Sequence, residues 1–221
     1  MNREPLNENH AEPDEAARFL GECHPLLDQL GSADGLFTLS GVAAALQLPE
    51  VDSPRALESF LAAYLSQILV PLELPAIYQA HHHASHNQTR ELLACDCELT
   101  RRAPPPQFAR ASQRVGRDQL RRLRPLRDER IIQRYLEAVE QERARAWHTL
   151  VYGVTLAVYS LPVRQGLLTY ARQTLAGFIQ AAARPLRLSV EECAGLLNQS
   201  CAELPAHLEK LLQEPPQHFP E

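Results

Sequence analysis

Apolar residues recur every three or four positions along most of the chain, which is the period of an amphipathic helix. The clearest case is DSPRALESFLAAYLSQILV, where Ser53 is placed to cap a helix and Pro54 takes its first position. The apolar face of that helix consists of Leu57, Phe60, Leu61, Tyr64, Leu65 and Ile68. No alternating run is long enough to require a strand. The pattern therefore predicts an all-α fold, a single-domain helical bundle.

Proline and glycine divide the chain into segments. Residues 1–13 are polar and predict a disordered lead, and a first helix is expected to end near Leu30, before GSADG. Pro71 and Pro75 are expected to interrupt the helical pattern before LPAIYQAHHHASH, and RRAPPPQ predicts a loop. The later predicted helices are PQFARASQRVGRDQLRRL, DERIIQRYLEAVEQERARAW, HTLVYGVTLAVYS, PVRQGLLTYARQTLAGFIQAAAR and SVEECAGLLNQSCAELPAHLEKLL. The domain is expected to span residues 14–213, with a flexible tail at 214–221.

Two of these segments have unusual compositions. HTLVYGVTLAVYS is apolar on nearly every side, which predicts a helix buried at the centre of the bundle. LLTYARQTLAGFIQAAA is rich in alanine, so its helix can approach a partner closely. That partner is either another helix of the same core, which is the favoured interpretation, or a second copy across a dimer interface.

The 221 residues carry a formal charge of −5 and 45% hydrophobic content, enough for one well-formed core. The five cysteines have no spacing typical of a disulfide framework, and the N-terminus lacks the apolar core of a signal peptide. The longest apolar stretch, WHTLVYGVTLAVYSL, is too short to span a membrane. These features predict a soluble, cytoplasmic protein. No phosphate loop, HExxH, GxSxG or nucleotide fingerprint is present, so the sequence does not predict an enzyme.

Four histidines and two cysteines fall between His81 and Cys97. On a helix His82 and His86 are one turn apart, and His83 and His86 are also neighbours, so imidazoles could share a face and bind Ni²⁺ or Zn²⁺. Cys95 and Cys97 would point to different sides and could not chelate together. A solvated histidine-rich surface is the favoured interpretation, and metal binding is the alternative.

A run of arginines follows, at spacings that place several on one helical stripe. Interleaved carboxylates and the lack of an aromatic residue between Phe108 and Tyr135 argue against nucleic-acid binding. A solvated face and a surface that docks an acidic protein remain the alternatives. The run consists of Arg110, Arg114, Arg117, Arg121, Arg122, Arg124, Arg127, Arg130 and Arg134.

Several motifs occur in the order found in the UreF family of urease accessory proteins, which the chain resembles over roughly residues 25–200. They are GLFTLSG, RALESFLAAYL, ASQRVGRDQLRRL, HTLVYGVTLAVYSLP and LTYARQTLAGFIQAAARPLRL. Two segments depart from the family pattern. Ala44 stands where a glutamate is usual, and Ser189 and Val190 replace a Gly-Gln pair.

The resemblance implies a non-enzymatic, all-helical, dimeric scaffold without a cofactor of its own. Such proteins join UreD (also called UreH) and the GTPase UreG in the complex that inserts nickel into the urease apoprotein. The family has also been linked to activation of GTP hydrolysis, which the missing glutamate argues against here. An independent histidine-rich nickel or zinc chaperone is the alternative function.

The motif matches nominate partner-binding residues, each with a structural alternative. Gly116 could allow close approach of another element, His148 could simply begin a helix, and Phe37 could anchor a turn. Tyr170 and Arg184 are expected to contact a dimer mate or UreD, and Phe219 could anchor the tail on UreD. The full set is Gly35, Phe37, Ser40, Gln113, Gly116, Arg117, His148, Tyr152, Tyr170, Arg184 and Phe219, with His82, His83 and His86 as weak metal candidates.

Overall fold

The computed structural model describes residues 39–102 and 106–214, and these residues confirm an all-α fold. The helices are α1 (Leu39–Ala45), α2 (Pro54–Tyr64), a π-helical segment (Leu65–Glu73), α3 (Leu74–Ser85), α4 (Thr89–Arg101), α5 (Pro106–Arg122), α6 (Arg130–Glu140), α7 (His148–Val158), α8 (Val163–Leu186), α9 (Val190–Cys201) and α10 (Leu204–Gln213). The predicted lead and first helix, and all of the predicted C-terminal tail except Glu214, lie outside the described residues.

Helices α3 and α7 form the centre of the bundle. Every residue of α7 from His148 to Leu156 is buried, which confirms the prediction for this apolar helix. The two backbones meet at Gly153, where an added Cβ would lie 2.4 Å from the carbonyl oxygen of Ile77. Only glycine permits this approach, because any side chain would overlap backbone atoms of α3.

The core consists of two clusters on either side of this central pair. One cluster joins α2, α8, α9 and α10 to residues such as Tyr152 and Leu156. Its aromatic centre is Phe178, whose ring packs edge-on against Phe60 and Tyr64 with centroids 5.0 and 4.8 Å away. The other cluster joins α4, α5 and α6 to the opposite faces of α3 and α7. Both central helices are therefore covered on two sides.

The helix that begins at Ser53 is longer than its sequence predicts. Ser53 caps it as expected, since its side chain accepts a hydrogen bond from Ala56 N at 3.3 Å. The expected interruptions at Pro71 and Pro75 are wrong, because the chain widens into π-helical turns around Pro71 and continues directly into α3, which contains Pro75. The Leu74 N–H bonds to the Leu69 carbonyl, five residues back. Wider turns accommodate a proline ring that would clash with a preceding carbonyl in an α-helix.

This continuous run, Pro54–Ser85, is long and apolar enough to suit a membrane span by composition alone. Half of its most apolar window is buried inside the fold, where it packs against α7 and α8. That burial is typical of a core helix.

Two other predicted helices are shorter than the sequence indicates. The segment DERIIQRYLEAVEQERARAW is helical only over Arg130–Glu140, because residues 143–147 are drawn into a loop. The C-terminal segment splits into α9 and α10 between Cys201 and Leu204, with Pro205 in the first turn of α10. Ser189 gives α9 a complete capping box with Glu192, so the departure from the family pattern at this position has a structural use.

Candidate functional site

A carboxylate lies inside the protein at the end of the π-helical segment. Glu73 is 4% exposed, and its Oε2 accepts a hydrogen bond from the Tyr64 hydroxyl at 2.8 Å. The Tyr170 side chain also hydrogen-bonds to this carboxyl group. Burial raises the pKa of Glu73 to about 7, although the two tyrosine hydrogen bonds oppose the shift. The one sequence signal for this residue is its position as a single glutamate within the apolar run QILVPLELPAI.

Tyr152 and His148 extend this group along α7. The Tyr152 hydroxyl donates to the Gly166 carbonyl at 3.0 Å, and the Tyr152 ring lies 5.1 Å from the ring of Tyr170. The His148 ring lies 5.8 Å from Tyr170, and burial lowers the pKa of His148 to about 3. The imidazole is therefore neutral at physiological pH.

The structure brings His148, Tyr152 and Tyr170 together, but in the core rather than on a docking surface. Each is at most 1% exposed. The expectation that Tyr170 contacts a dimer mate or UreD is therefore corrected, because its side chain is enclosed by the chain's own helices. His148 does begin α7, as the structural alternative proposed.

Gly116 joins the start of α7 to α5. An added Cβ would lie 1.9 Å from the Ala146 carbonyl oxygen and 2.8 Å from His148 N, so the prediction of close approach at this glycine is confirmed. One turn earlier on α5, Ser112 Oγ accepts a hydrogen bond from His148 N at 3.2 Å. The two family-like motifs, ASQRVGRDQLRRL and HTLVYGVTLAVYSLP, thus meet in space.

A second buried carboxylate, Asp96 of α4, holds the loop that leads into α7. Its oxygens accept hydrogen bonds from the Tyr135 hydroxyl at 2.7 Å, Arg145 N at 2.7 Å and Ala146 N at 2.9 Å. Burial raises the pKa of Asp96, while these hydrogen bonds lower it in part. Ala146 has a φ of 57°, a left-handed conformation that this carboxylate helps to fix. No sequence signal distinguishes Asp96, because a single carboxylate in a helical pattern looks the same whether it is buried or solvated.

The remaining partner candidates have varied positions. Ser40, Arg117 and Arg184 are exposed and Gln113 is half-buried. Gly35, Phe37 and Phe219 lie outside the described residues. The arginine stripe (Arg110, Arg114, Arg117 and Arg121) is exposed along the outward face of α5. This stripe can therefore be reached by a partner, as the docking interpretation requires.

The histidines are not the uniformly solvated surface expected. His83 is fully buried because α3 is a central helix of the bundle, and its Nδ1 donates to Gln88 Oε1 at 2.8 Å. His86 is exposed and His82 is half-buried. Within the described ranges, no group of three or more His, Cys, Asp or Glu side chains is arranged to hold a metal ion. Cys95 is buried and Cys97 is exposed, so they point to different sides as predicted.

A cavity of about 330 Å³ opens between the π-helical segment, α3, α4 and α10. Its lining is mixed, with apolar walls from residues such as Leu74 and Leu150 and charged side chains from Glu98, Arg102 and Lys210. Neither Glu73 nor His148 lines this cavity. A molecule bound in this cavity would therefore not contact the side chain of Glu73 or His148.

The raised pKa of Glu73 predicts that the stability of the protein depends on pH. Its folded pKa is raised, so its contribution to stability is fully present below pH 4.5 and is lost as pH rises through about 7. The loss amounts to about 3 kcal/mol if the unfolded chain has an ordinary glutamate. We expect Glu73→Gln to remove this part of the pH profile, measured by urea unfolding from pH 5 to 8.

The difference in unfolding free energy between wild type and Glu73→Gln measures the contribution of the Glu73 carboxyl group alone. Tyr64 and Tyr170 face Glu73 from α2 and α8, and their raised pKa values keep them neutral in this range. His148 has a lowered pKa and acts in the opposite direction, but it is present in both proteins. Exposed Glu58→Gln is the matched control. A wild-type-minus-variant difference that stays constant between pH 5 and 8 would contradict the assignment.

Comparisons with known proteins agree with the geometry of these motifs. A sequence model of the UreF family matches residues 51–201, about two-thirds of the chain. The chain is also similar to a protein named urease accessory protein UreF from Sporosarcina pasteurii, with 21% identity over 145 residues. That alignment covers 65% of this chain and 71% of the relative.

Proposed function

The chain belongs to the UreF family of urease accessory proteins, and from this we propose that it is a non-enzymatic scaffold for nickel insertion into urease. In this role it binds UreD (UreH) and recruits the GTPase UreG to the urease apoprotein. It acts through protein contacts in the cytoplasm, as a homodimer, and nickel is cargo of the complex rather than a cofactor of the chain.

The observation that carries the proposal is the extent of the family match. Residues 51–201 run from just before α2 to the end of α9, so the match includes both halves of the core and the junction of α5 with α7. Gly116, Gly153 and most of the buried core side chains lie in the matched region, whereas Val42, Ala43, Leu204 and Leu208 lie outside it. A shared fold of this kind supports a shared accessory role.

The arginine stripe on α5 is the surface we assign to an acidic partner. Arg114 and Arg117 are exposed and lie three residues apart on one face. Arg117 Nε donates to the Gln113 carbonyl within the same helix at 3.2 Å, which orients the guanidinium group. Guanidinium groups suit bidentate contacts with carboxylates. We assign no stimulation of GTP hydrolysis to α1, because Ala44 offers no carboxylate there.

We expect the protein to co-elute with co-expressed UreD and UreG in size-exclusion chromatography with light scattering. The double variant Arg114→Glu/Arg117→Glu should bind these partners about tenfold more weakly, because two exposed cations become anions on the docking face. Arg55→Glu/Arg172→Glu, at exposed positions on α2 and α8, is the control for the same change in net charge.

Two different results would contradict the scaffold function and the docking surface separately. If the wild-type protein elutes alone in the presence of folded partners, the scaffold function is wrong. If the complex forms but both charge-reversal proteins bind like the wild type, only the docking surface is wrong.

A further inference from the structure

The end of α3 presents two imidazoles side by side. His82 and His86 are one helical turn apart, and their ring centroids are 4.3 Å apart with an angle of 34° between the planes. Neighbouring positions at i and i+4 place both rings on one side of the helix. The ring of His83 lies 5.5 Å from that of His82 but is fully buried, so the accessible part of the cluster is smaller than the sequence suggested.

The proton of His86 has a defined position. Its Nδ1 lies 2.8 Å from the His82 carbonyl oxygen, and a carbonyl can only accept, so Nδ1 carries the hydrogen. In the neutral ring Nε2 then has a free electron pair. Metal-binding histidines commonly have this arrangement, in which one nitrogen donates to a backbone carbonyl and the other binds the ion.

The backbone around the pair is ordered by its own hydrogen bonds. Asn87 takes a left-handed φ of 54°, and Gln88 N donates to the His83 carbonyl at 2.8 Å. This is the bonding pattern of a Schellman motif, which ends a helix in a fixed geometry. The C-terminal end of a helix also carries partial negative charge, which favours a cation beside it.

We propose that the histidine pair, His82 and His86, is a binding site for one divalent transition ion of the Ni²⁺, Cu²⁺ and Zn²⁺ class. Imidazole nitrogen is a preferred ligand for these ions, and hard ions such as Mg²⁺ and Ca²⁺ prefer oxygen. Two protein ligands leave the other coordination positions to water. The site therefore holds an exchangeable ion rather than a permanent structural one. Both imidazoles belong to this chain, so the site can be tested on the isolated protein.

The test is a calorimetric titration of the tag-free, full-length protein with Ni²⁺ in a non-chelating buffer. We expect His82→Ala/His86→Ala to weaken the binding of one ion by ~10-fold or more. His207→Ala on α10 is the matched control, because it removes one half-buried imidazole that is distant in sequence from the pair. It should bind like the wild type. A second double variant, His82→Gln/His86→Gln, retains side-chain length in case the alanine protein is poorly folded.

A second readout locates the ion. Bound Ni²⁺ should slow modification of His82 and His86 by diethylpyrocarbonate, measured by peptide mass spectrometry, without changing the rate at His207. The proposal is overturned if both double variants bind Ni²⁺ as tightly as the wild type, or if Ni²⁺ protects all three histidines equally. Because the titration uses the isolated protein, either result leaves the scaffold proposal to its own test.

Discussion

Gly116→Ala is expected to destabilise the protein by about 3 kcal/mol or more, a fall in Tm of roughly 6–12 °C. The new Cβ would lie 1.9 Å from the Ala146 carbonyl oxygen and 2.9 Å from the carbonyl carbon of Trp147. These are backbone atoms, so no rotamer change can relieve the overlap, and α5 must move away from the start of α7. Thermal and urea unfolding followed by circular dichroism measure the effect.

Gly195→Ala is a matched control within the same chain. Gly195 also lies inside a helix, α9, but nothing lies within 4 Å of an added Cβ. Alanine has the higher helix propensity, so this variant should be more stable by up to ~1 kcal/mol. The two substitutions are chemically identical and should have opposite signs. Equal effects on stability would contradict the close packing of α5 against α7.

Asp96→Asn is expected to cost about 3 kcal/mol, because the buried carboxylate accepts hydrogen bonds from three donors. The amide of asparagine replaces one acceptor oxygen with a donor, which would face the Tyr135 hydroxyl or a backbone N–H of Arg145 or Ala146. At least one of these buried donors would then lose its partner. Chemical denaturation at pH 7 measures the loss.

Trp147, the single tryptophan of the chain, reports on the same loop. It is 4% exposed, and its Nε1 donates to Thr100 Oγ1 at 3.1 Å. Loosening of residues 143–147 in Asp96→Asn should expose the indole and shift its emission to longer wavelength. Asp118→Asn, an exposed residue with one surface ion pair to Arg121, should change stability by less than ~1 kcal/mol and leave the emission unchanged. A wild-type emission and stability in Asp96→Asn would remove the proposed role of this carboxylate.

Most helices could be predicted because their causes are local. Ser53 with Pro54 begins α2, and the apolar sequence of α7 places it at the centre, both as the pattern indicated. Pro71 shows where local reasoning fails, since a proline that ends an isolated α-helix is retained here in π-helical turns. The burial of Leu69 and Leu74 on either side of it favours continuation.

The roles of the candidate residues depended on the tertiary structure. The motifs singled out His148, Tyr152 and Tyr170 as partner-binding residues, but the structure places their rings next to one another in the core. Gly116 was correctly linked to close packing, since glycine weakens a helix and is favoured there mainly where another element needs the space. Asp96 and Glu73 were missed, because a single carboxylate in a helical pattern has the same sequence signature whether it is buried or solvated.

The sequence by itself therefore determined the all-α class, the central apolar helix, the Ser53 cap and membership in the UreF family, because periodicity, capping and motif order are properties of short segments. The tertiary structure alone decided that His83 is buried while His86 is exposed, that Asp96 holds a loop about fifty residues further along the chain, and that Glu73 lies among tyrosines. The physical reason is that burial and hydrogen bonding depend on groups distant in the chain, and only folding brings those groups into contact.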